Sequence, residues 1–258
     1  MRNVYLAAAP ADTVAAGALG LPLAHMAYAI GGALTLQRGA IGTAMRGGLM
    51  VVHDRYYDRS PGDVTALCGE ITRECSLRGF DGVICDFEQP VRRVLEHLVA
   101  ELSAALTRKQ LLLVVTQRYA HVATATLLVN SAVTTGTLRK QWEAQAEAAK
   151  RQLAVEIDPL ARDFVLSKAG EQGRALQASA LQAMINERQP SIFFSAELCA
   201  YYFTYKDAMK DTHFVLFDDA ASLGCKISLG LRMNANPILL LYPDVKHILP
   251  NILANVTI

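Results

Sequence analysis

GFDGVICDFEQP, residues 79–90, sets three acids in and around a short apolar run. Val83, Ile84, Cys85 and Phe87 make a short apolar run, and the run ends in two carboxylates, Asp86 and Glu88. A short, near-continuous apolar run fits a strand covered on both faces, as in a parallel sheet. Side chains alternate along a strand, so Ile84, Asp86 and Glu88 share one face and Val83, Cys85 and Phe87 the other. The second set is wholly apolar and suits packing against a helix layer. The first set carries acids to the C-terminal end of the strand, where charge beside a core is costly and points to a use.

Seven further runs read as strands: VYLAA (4–8), HMAYAI (25–30), GLMVVHD (48–54), LLLVVTQ (111–117), ATLLVNSAV (125–133), LAVEID (153–158) and PILLLYPD (237–244). Helical patterns lie between them. Val64, Leu67, Cys68, Ile71 and Cys75 recur on one helical face, with Gly79 as the stop. After Pro90, residues Val91, Val94, Leu95, Leu98, Leu102 and Leu106 form a second stripe. Eight strands alternating with helices over 258 residues predict an α/β fold, a single (β/α)8 TIM barrel spanning 1–258. The segment from about 164 to 216 is too long for one βα unit and is rich in aromatics, as in YYFTY (201–205), so it reads as a small insertion between strands seven and eight.

Composition narrows the function. The chain is 52 % hydrophobic with formal net charge +1 and no run of like charge, which argues against a nucleic-acid surface. Five cysteines without a CxxC spacing fit free thiols in a reducing compartment. Pro10 and Asp12 interrupt the Ala-rich start, so it reads as a first core strand and not a signal peptide, and no segment has the length of a membrane span. The expectation is a cytoplasmic protein with no membrane span.

Barrel enzymes keep their chemistry at the C-terminal rim, and that is where Asp86 and Glu88 fall. Two close carboxylates cannot both ionise cheaply, so one is expected to titrate high and serve as a general acid. The alternative is that they cap Arg92, Arg93 or a loop. The polar cluster His53-Asp54-Arg55-Tyr56-Tyr57-Asp58 follows the third strand, and Gln117, Arg118 and Tyr119 follow the fifth, at the same rim. His53, Asp54, Asp86 and Glu88 could converge on a divalent ion, but no HxH or HExxH spacing supports it. The last strands lack the Gly-rich loops of a phosphate site.

DGVICDFE resembles the fourth-strand signature of glycoside hydrolase family 18, the chitinase-like barrels, DGxDxDxE. Asp81, Gly82, Asp86 and Glu88 match it, and Ile84 stands where the first Asp of the DxD pair belongs. The resemblance implies that Glu88 is the proton donor, that Asp86 orients the substrate's acetamido group, and that Asp81 orders the strand. It also implies substrate-assisted retention, in which the acetamido oxygen attacks the anomeric carbon and no second protein carboxylate acts as nucleophile. LAHMAYAI resembles the family's second strand and FDDAASLGCKISLGLRMNANPILLLYPD its last helix and strand. Three other signatures differ. The third strand ends in MVVHDRYYD and not Ser-x-Gly-Gly, and the sixth reads LLVNSAV and not Met-x-Tyr-Asp. The eighth offers Tyr242 where a Trp floor is usual, and the one tryptophan, Trp142, lies on an expected helix. The expectation is a glycosidase with Glu88, Asp86 and Asp81 as its catalytic set and Tyr57, Gln117, Tyr119, Asn130 and Tyr242 contacting substrate. Its partner is a β-linked N-acetylglucosamine glycan or muropeptide, with no cofactor, metal or nucleic acid implied. The alternative is a barrel that keeps fold and motif and binds carbohydrate without turnover.

Overall fold

The computed structural model describes residues 3–40, 42, 45–167 and 173–257. In chain order the strands are β1 (Val4–Ala8), β2 (Leu23–Ile30), β3 (Leu36–Arg38), β4 (Leu49–His53), β5 (Gly82–Asp86), β6 (Leu112–Thr116) and β7 (Thr126–Asn130). They continue with β8 (Leu153–Ile157), β9 (Ala161–Val165), β10 (Arg174–Ala175), β11 (Phe193–Ser195), β12 (Ala200–Lys206), β13 (Thr212–Phe217) and β14 (Ile238–Leu241). The helices are α1 (Thr13–Gly17), α2 (Val64–Arg78), α3 (Arg93–Arg108), α4 (Leu138–Ala149), α5 (Ala178–Arg188), α6 (Ala220–Arg232), α7 (Tyr242–Val245) and α8 (Leu249–Ala254).

All eight expected runs form strands of one sheet, ordered β1-β14-β8-β7-β6-β5-β4-β2 and closed by pairing of β1 with β2. This is the (β/α)8 barrel that the strand–helix alternation predicts. β3 adds antiparallel to β2 outside the ring. The sixth and eighth runs stop early, at Asn130 and Leu241, where the chain leaves the ladder. The contacts divide the chain into two compact units. One comprises Met1–Val129, Trp142–Glu156 and Met233–Lys246, and the other Asn130–Gln141, Ile157–Arg232 and His247–Ile258.

In the first unit the alternation along β5 sorts its side chains between two cores. Ile84 joins Ala24, Leu49, Val51, Val114, Ala154 and Leu239 inside the barrel. Val83, Cys85 and Phe87 join the layer beneath the helices, with Leu67, Ile71, Leu95 and Leu98. Each such fully buried aliphatic side chain contributes about 1.5–3 kcal/mol. The glycine that opens β5 is required sterically: a Cβ on Gly82 would lie 2.4 Å from the carbonyl oxygen of Leu112 on the neighbouring strand.

α2 starts where the Asp63 side chain accepts the N–H of Ala66 at 3.0 Å, and it ends at Gly79 in left-handed conformation (φ 66°). Its buried face includes Glu74, an acid that the apolar periodicity passes over. Glu74 accepts hydrogen bonds from Tyr28 (3.1 Å), Arg38 (3.2 Å) and Arg78 (2.9 Å). Burial alone would raise its carboxyl, but these donors more than offset that and hold it below the usual carboxylate range. α3 buries Leu95, Leu98, Val99, Leu102 and Leu106, whereas Val91 precedes the helix and is exposed.

In the second unit, β9 to β13 form an antiparallel sheet ordered β10-β9-β13-β12-β11, lying across the region where the sequence placed its insertion. One face of the sheet carries Phe203, Val215 and Phe217 against Leu181, Met184 and Ile185 of α5. At the head of α6, the Asp218 side chain is wholly buried and pairs with Lys226 Nζ at 2.5 Å. It also accepts the Leu160 N–H (2.9 Å) and the Ser222 hydroxyl (2.8 Å). The Asp-Asp-x-x-Ser-x-x-x-Lys pattern of this helix is therefore structural. Among the described residues, no helix is long and apolar enough to cross a membrane.

Candidate active site

β4 and β5 run side by side with His53 opposite Asp86 in the register. Both follow the barrel-facing residues Val51 and Ile84 by two positions, so both project at the C-terminal rim of the barrel unit. Asp86 is partly buried. Burial, then the nearby charge of Glu88, raises its carboxyl above the usual range, while Arg55 opposes the shift. Glu88 lies two residues beyond the end of β5 and is mostly exposed, its side chain 62 % accessible, with Arg55 at 3.5 Å.

The position of Glu88 is set by Asp54. The Asp54 carboxylate is wholly buried and accepts the backbone N–H groups of Glu88 (3.0 Å) and Gln89 (3.1 Å). The Gln89 side chain returns two hydrogen bonds, to the carbonyl oxygens of Asp54 (2.6 Å) and Tyr57 (3.3 Å). Thr116, at the end of β6, donates to the Phe87 carbonyl at 3.3 Å. The loop that carries Glu88 is thus tied to its neighbours on both sides. His53 stacks edge-on against exposed Tyr56, with ring centroids 5.3 Å apart. Burial, then Arg55, lowers its imidazole below the usual range, so it is neutral at physiological pH. Its buried Nδ1 has no hydrogen-bond partner among the described residues. Among those residues, no three His, Cys, Asp or Glu side chains are grouped so as to hold a metal ion.

The remaining expected site residues scatter. Asp81 precedes β5, roughly 17 Å of strand before Asp86 at about 3.3 Å per residue, and is not brought to the carboxylate pair. Its backbone bridges the strand entries, donating to Gly48 (2.7 Å) and accepting from Leu112 (2.9 Å). Tyr57 and Tyr119 are buried in the helix-facing apolar layer, Tyr119 edge-on against Phe87. The turn that closes from Asp54 to Tyr57 ends the period-two rule, so Tyr56 and not Tyr57 is left outside. Gln117 is exposed directly after β6. Tyr242 opens α7 and is 8 % accessible. In the second unit, Asn130 donates to Asp158 at 3.3 Å and accepts the Ala132 N–H at 2.6 Å. The sequence displayed Asp54 and Arg55 as members of a polar cluster. Their work of holding and facing Glu88 depends on strand adjacency, which no local signal carries.

The fold is a (β/α)8 barrel with two carboxylates, Asp86 and Glu88, at the C-terminal end of its fourth barrel strand. More closely, the chain has the fold of glycoside hydrolase family 18 structures. A chitinase from Chromobacterium violaceum superposes with a TM-score of 0.63 at 16 % identity, covering 92 % of this chain and 93 % of that one. A family 18 chitinase from Cycas revoluta in complex with (GlcNAc)3 gives 0.59 at 15 % identity, covering 96 % and 98 %. The spore cortex-lytic enzyme SleL of Bacillus megaterium gives 0.60 at 14 % identity, covering 92 % and 70 %. No protein-family model matches the sequence, and no curated protein does.

Proposed function

We propose that this chain is a glycosidase that hydrolyses a β-linked, N-acetylglucosamine-containing glycan of the chitin or peptidoglycan type by substrate-assisted retention. The observation that carries the proposal is the rim of β5. Asp86 is a partly buried carboxyl on the barrel-facing side, and Glu88 is held two residues on by Asp54. The shared fold of chitinases and a cortex-lytic enzyme supports the choice of substrate class. In this reading a bound sugar displaces Arg55 and encloses Glu88, whose carboxyl passes its proton to the leaving glycosidic oxygen. The substrate's own acetamido oxygen then closes on the anomeric carbon to give an oxazolinium ion. Asp86 faces that group, accepts its N–H and balances the positive charge that develops. Water, deprotonated by Glu88, reopens the ring with net retention.

The test is hydrolysis of chromogenic β-N-acetylglucosaminide oligomers and muropeptides by the wild type beside Glu88→Gln. Turnover lost in the variant, with unchanged thermal unfolding, is the expected result. A second reading, a barrel that binds glycan without turnover, is favoured by the Arg55–Glu88 contact and by Asn130 engaging Asp158. Glycan binding without hydrolysis in either protein would establish it and exclude the first.

A further inference from the structure

Cys199 and Cys225 form a thiol pair within the second unit. Cys199 is buried immediately before β12 and has a left-handed backbone (φ 49°), unusual for a residue with a side chain. Cys225 sits in α6, which packs against β12, and is half-buried. The two sulfurs are 2.8 Å apart, only about 0.8 Å beyond the roughly 2.0 Å of a disulfide bond. The other three cysteines have a different setting. Cys68, Cys75 and Cys85 are buried in the apolar layer of the first unit, and burial pushes their thiols up, Cys75 to about 12. At the pair, the hydrogen bond shared with Cys199, helped by Arg232 and Lys226 against the opposing effect of burial, draws the Cys225 thiol below its usual range, which favours the thiolate. An attacking thiolate, a second thiol at bonding reach and partial solvent access are what thiol–disulfide exchange requires.

We propose that Cys199 and Cys225 are a redox site that forms a reversible disulfide by exchange with a small-molecule disulfide, glutathione disulfide being the representative oxidant. The Cys225 thiolate attacks one sulfur of that oxidant, whose S–S bond breaks and releases one glutathione thiolate. The Cys199 sulfur, giving up its proton, then attacks Cys225 in the mixed disulfide and releases the second. Two protein thiols are oxidised, and one glutathione disulfide is reduced to two glutathione molecules. The new bond joins the start of β12 to the middle of α6 across 26 residues of chain and restricts the unfolded state accordingly. The inference rests on the second unit alone and is independent of glycan hydrolysis.

The test uses the full chain incubated with glutathione disulfide or with dithiothreitol, quenched in denaturant with N-ethylmaleimide, and read by intact mass and peptide mapping. The reduced protein is expected to take five labels, one per cysteine, and the oxidised protein three, with a single Cys199–Cys225 cross-linked peptide that dithiothreitol reverses. The apparent Tm should rise on oxidation. Cys199→Ser should stop at a glutathione adduct on Cys225, and Cys225→Ser should take four labels under both conditions. Five labels after oxidation, a stable adduct on wild-type Cys225 without a bridge, or a bridge involving Cys68, Cys75 or Cys85 would each overturn the proposal.

Discussion

Replacing Asp54 tests the arrangement that carries Glu88. The Asp54 carboxylate is wholly buried and accepts two backbone N–H groups, those of Glu88 and Gln89. Asp54→Ala removes both acceptors, whereas the Gln89 side chain keeps its hydrogen bond to the Asp54 carbonyl. A hydrogen bond to a charged group contributes about 1.5–3 kcal/mol, so two would amount to about 3–6 kcal/mol if the freed N–H groups stayed dry. Water reaches this loop beside exposed Glu88 and recovers part of the loss, which places the net cost at about 2–4 kcal/mol. For a chain of this size that corresponds to a fall in Tm of about 4–16 °C. Asp54→Asn retains a neutral acceptor and should lose about half as much. Thermal unfolding followed by far-UV circular dichroism measures the shift, and reporter hydrolysis or glycan binding measures the effect on Glu88. An Asp54→Ala protein within about 0.5 kcal/mol of wild type would refute the anchoring role, since ordinary surface substitutions have effects of that size. So would a destabilised variant with undiminished Glu88-dependent turnover.

Two further outcomes follow from the buried charges. The Glu74 carboxyl is held below its usual value by Tyr28, Arg38 and Arg78, so its contribution is present above the unfolded-state value of about 4.3 and is lost as pH falls through its lower folded value. The stability gap between wild type and Glu74→Gln, measured by urea unfolding from pH 7 down to 3, should be widest at neutral pH and narrow below about pH 4. A gap that grows on acidification would contradict this. Lys226→Met strands the buried Asp218 carboxylate and should destabilise by about 3–5 kcal/mol, while adding Asp218→Asn should recover much of that loss. Denaturant midpoints of the single and double variants form the cycle, and strictly additive effects would show that the pair is not coupled.

Much of the first unit was legible because a parallel strand buried on both faces must be apolar along its whole length. That requirement makes all eight barrel strands stand out as short runs, and it made the two faces of β5 separable by alternation alone. The helix stops were legible for an equally local reason, as at Gly79, whose positive φ suits a residue without a side chain. Reading weakened where periodicity stopped. Glu88 lies past the last paired residue of β5, and its exposure and its contact with Arg55 depend on where the neighbouring loop runs. Tyr57 and Tyr119 looked like rim aromatics in the sequence but are held in the apolar layer by turns that reset the alternation.

The sequence alone identified the eight barrel strands, their alternation with helices in a closed fold and the placing of a carboxylate pair at the exit of the fourth barrel strand. Each of these is read from the order of side chains within short segments taken one at a time. Chain packing alone brings Asp54 beneath the Glu88 backbone, buries Glu74 among two arginines and a tyrosine, and sets Cys199 against Cys225 across 26 residues. Hydrogen bonds, ion pairs and thiol contacts of this kind join residues far apart in the chain. They exist only when strand register and helix packing bring their atoms within about 3 Å, and no pattern within a single segment encodes that meeting.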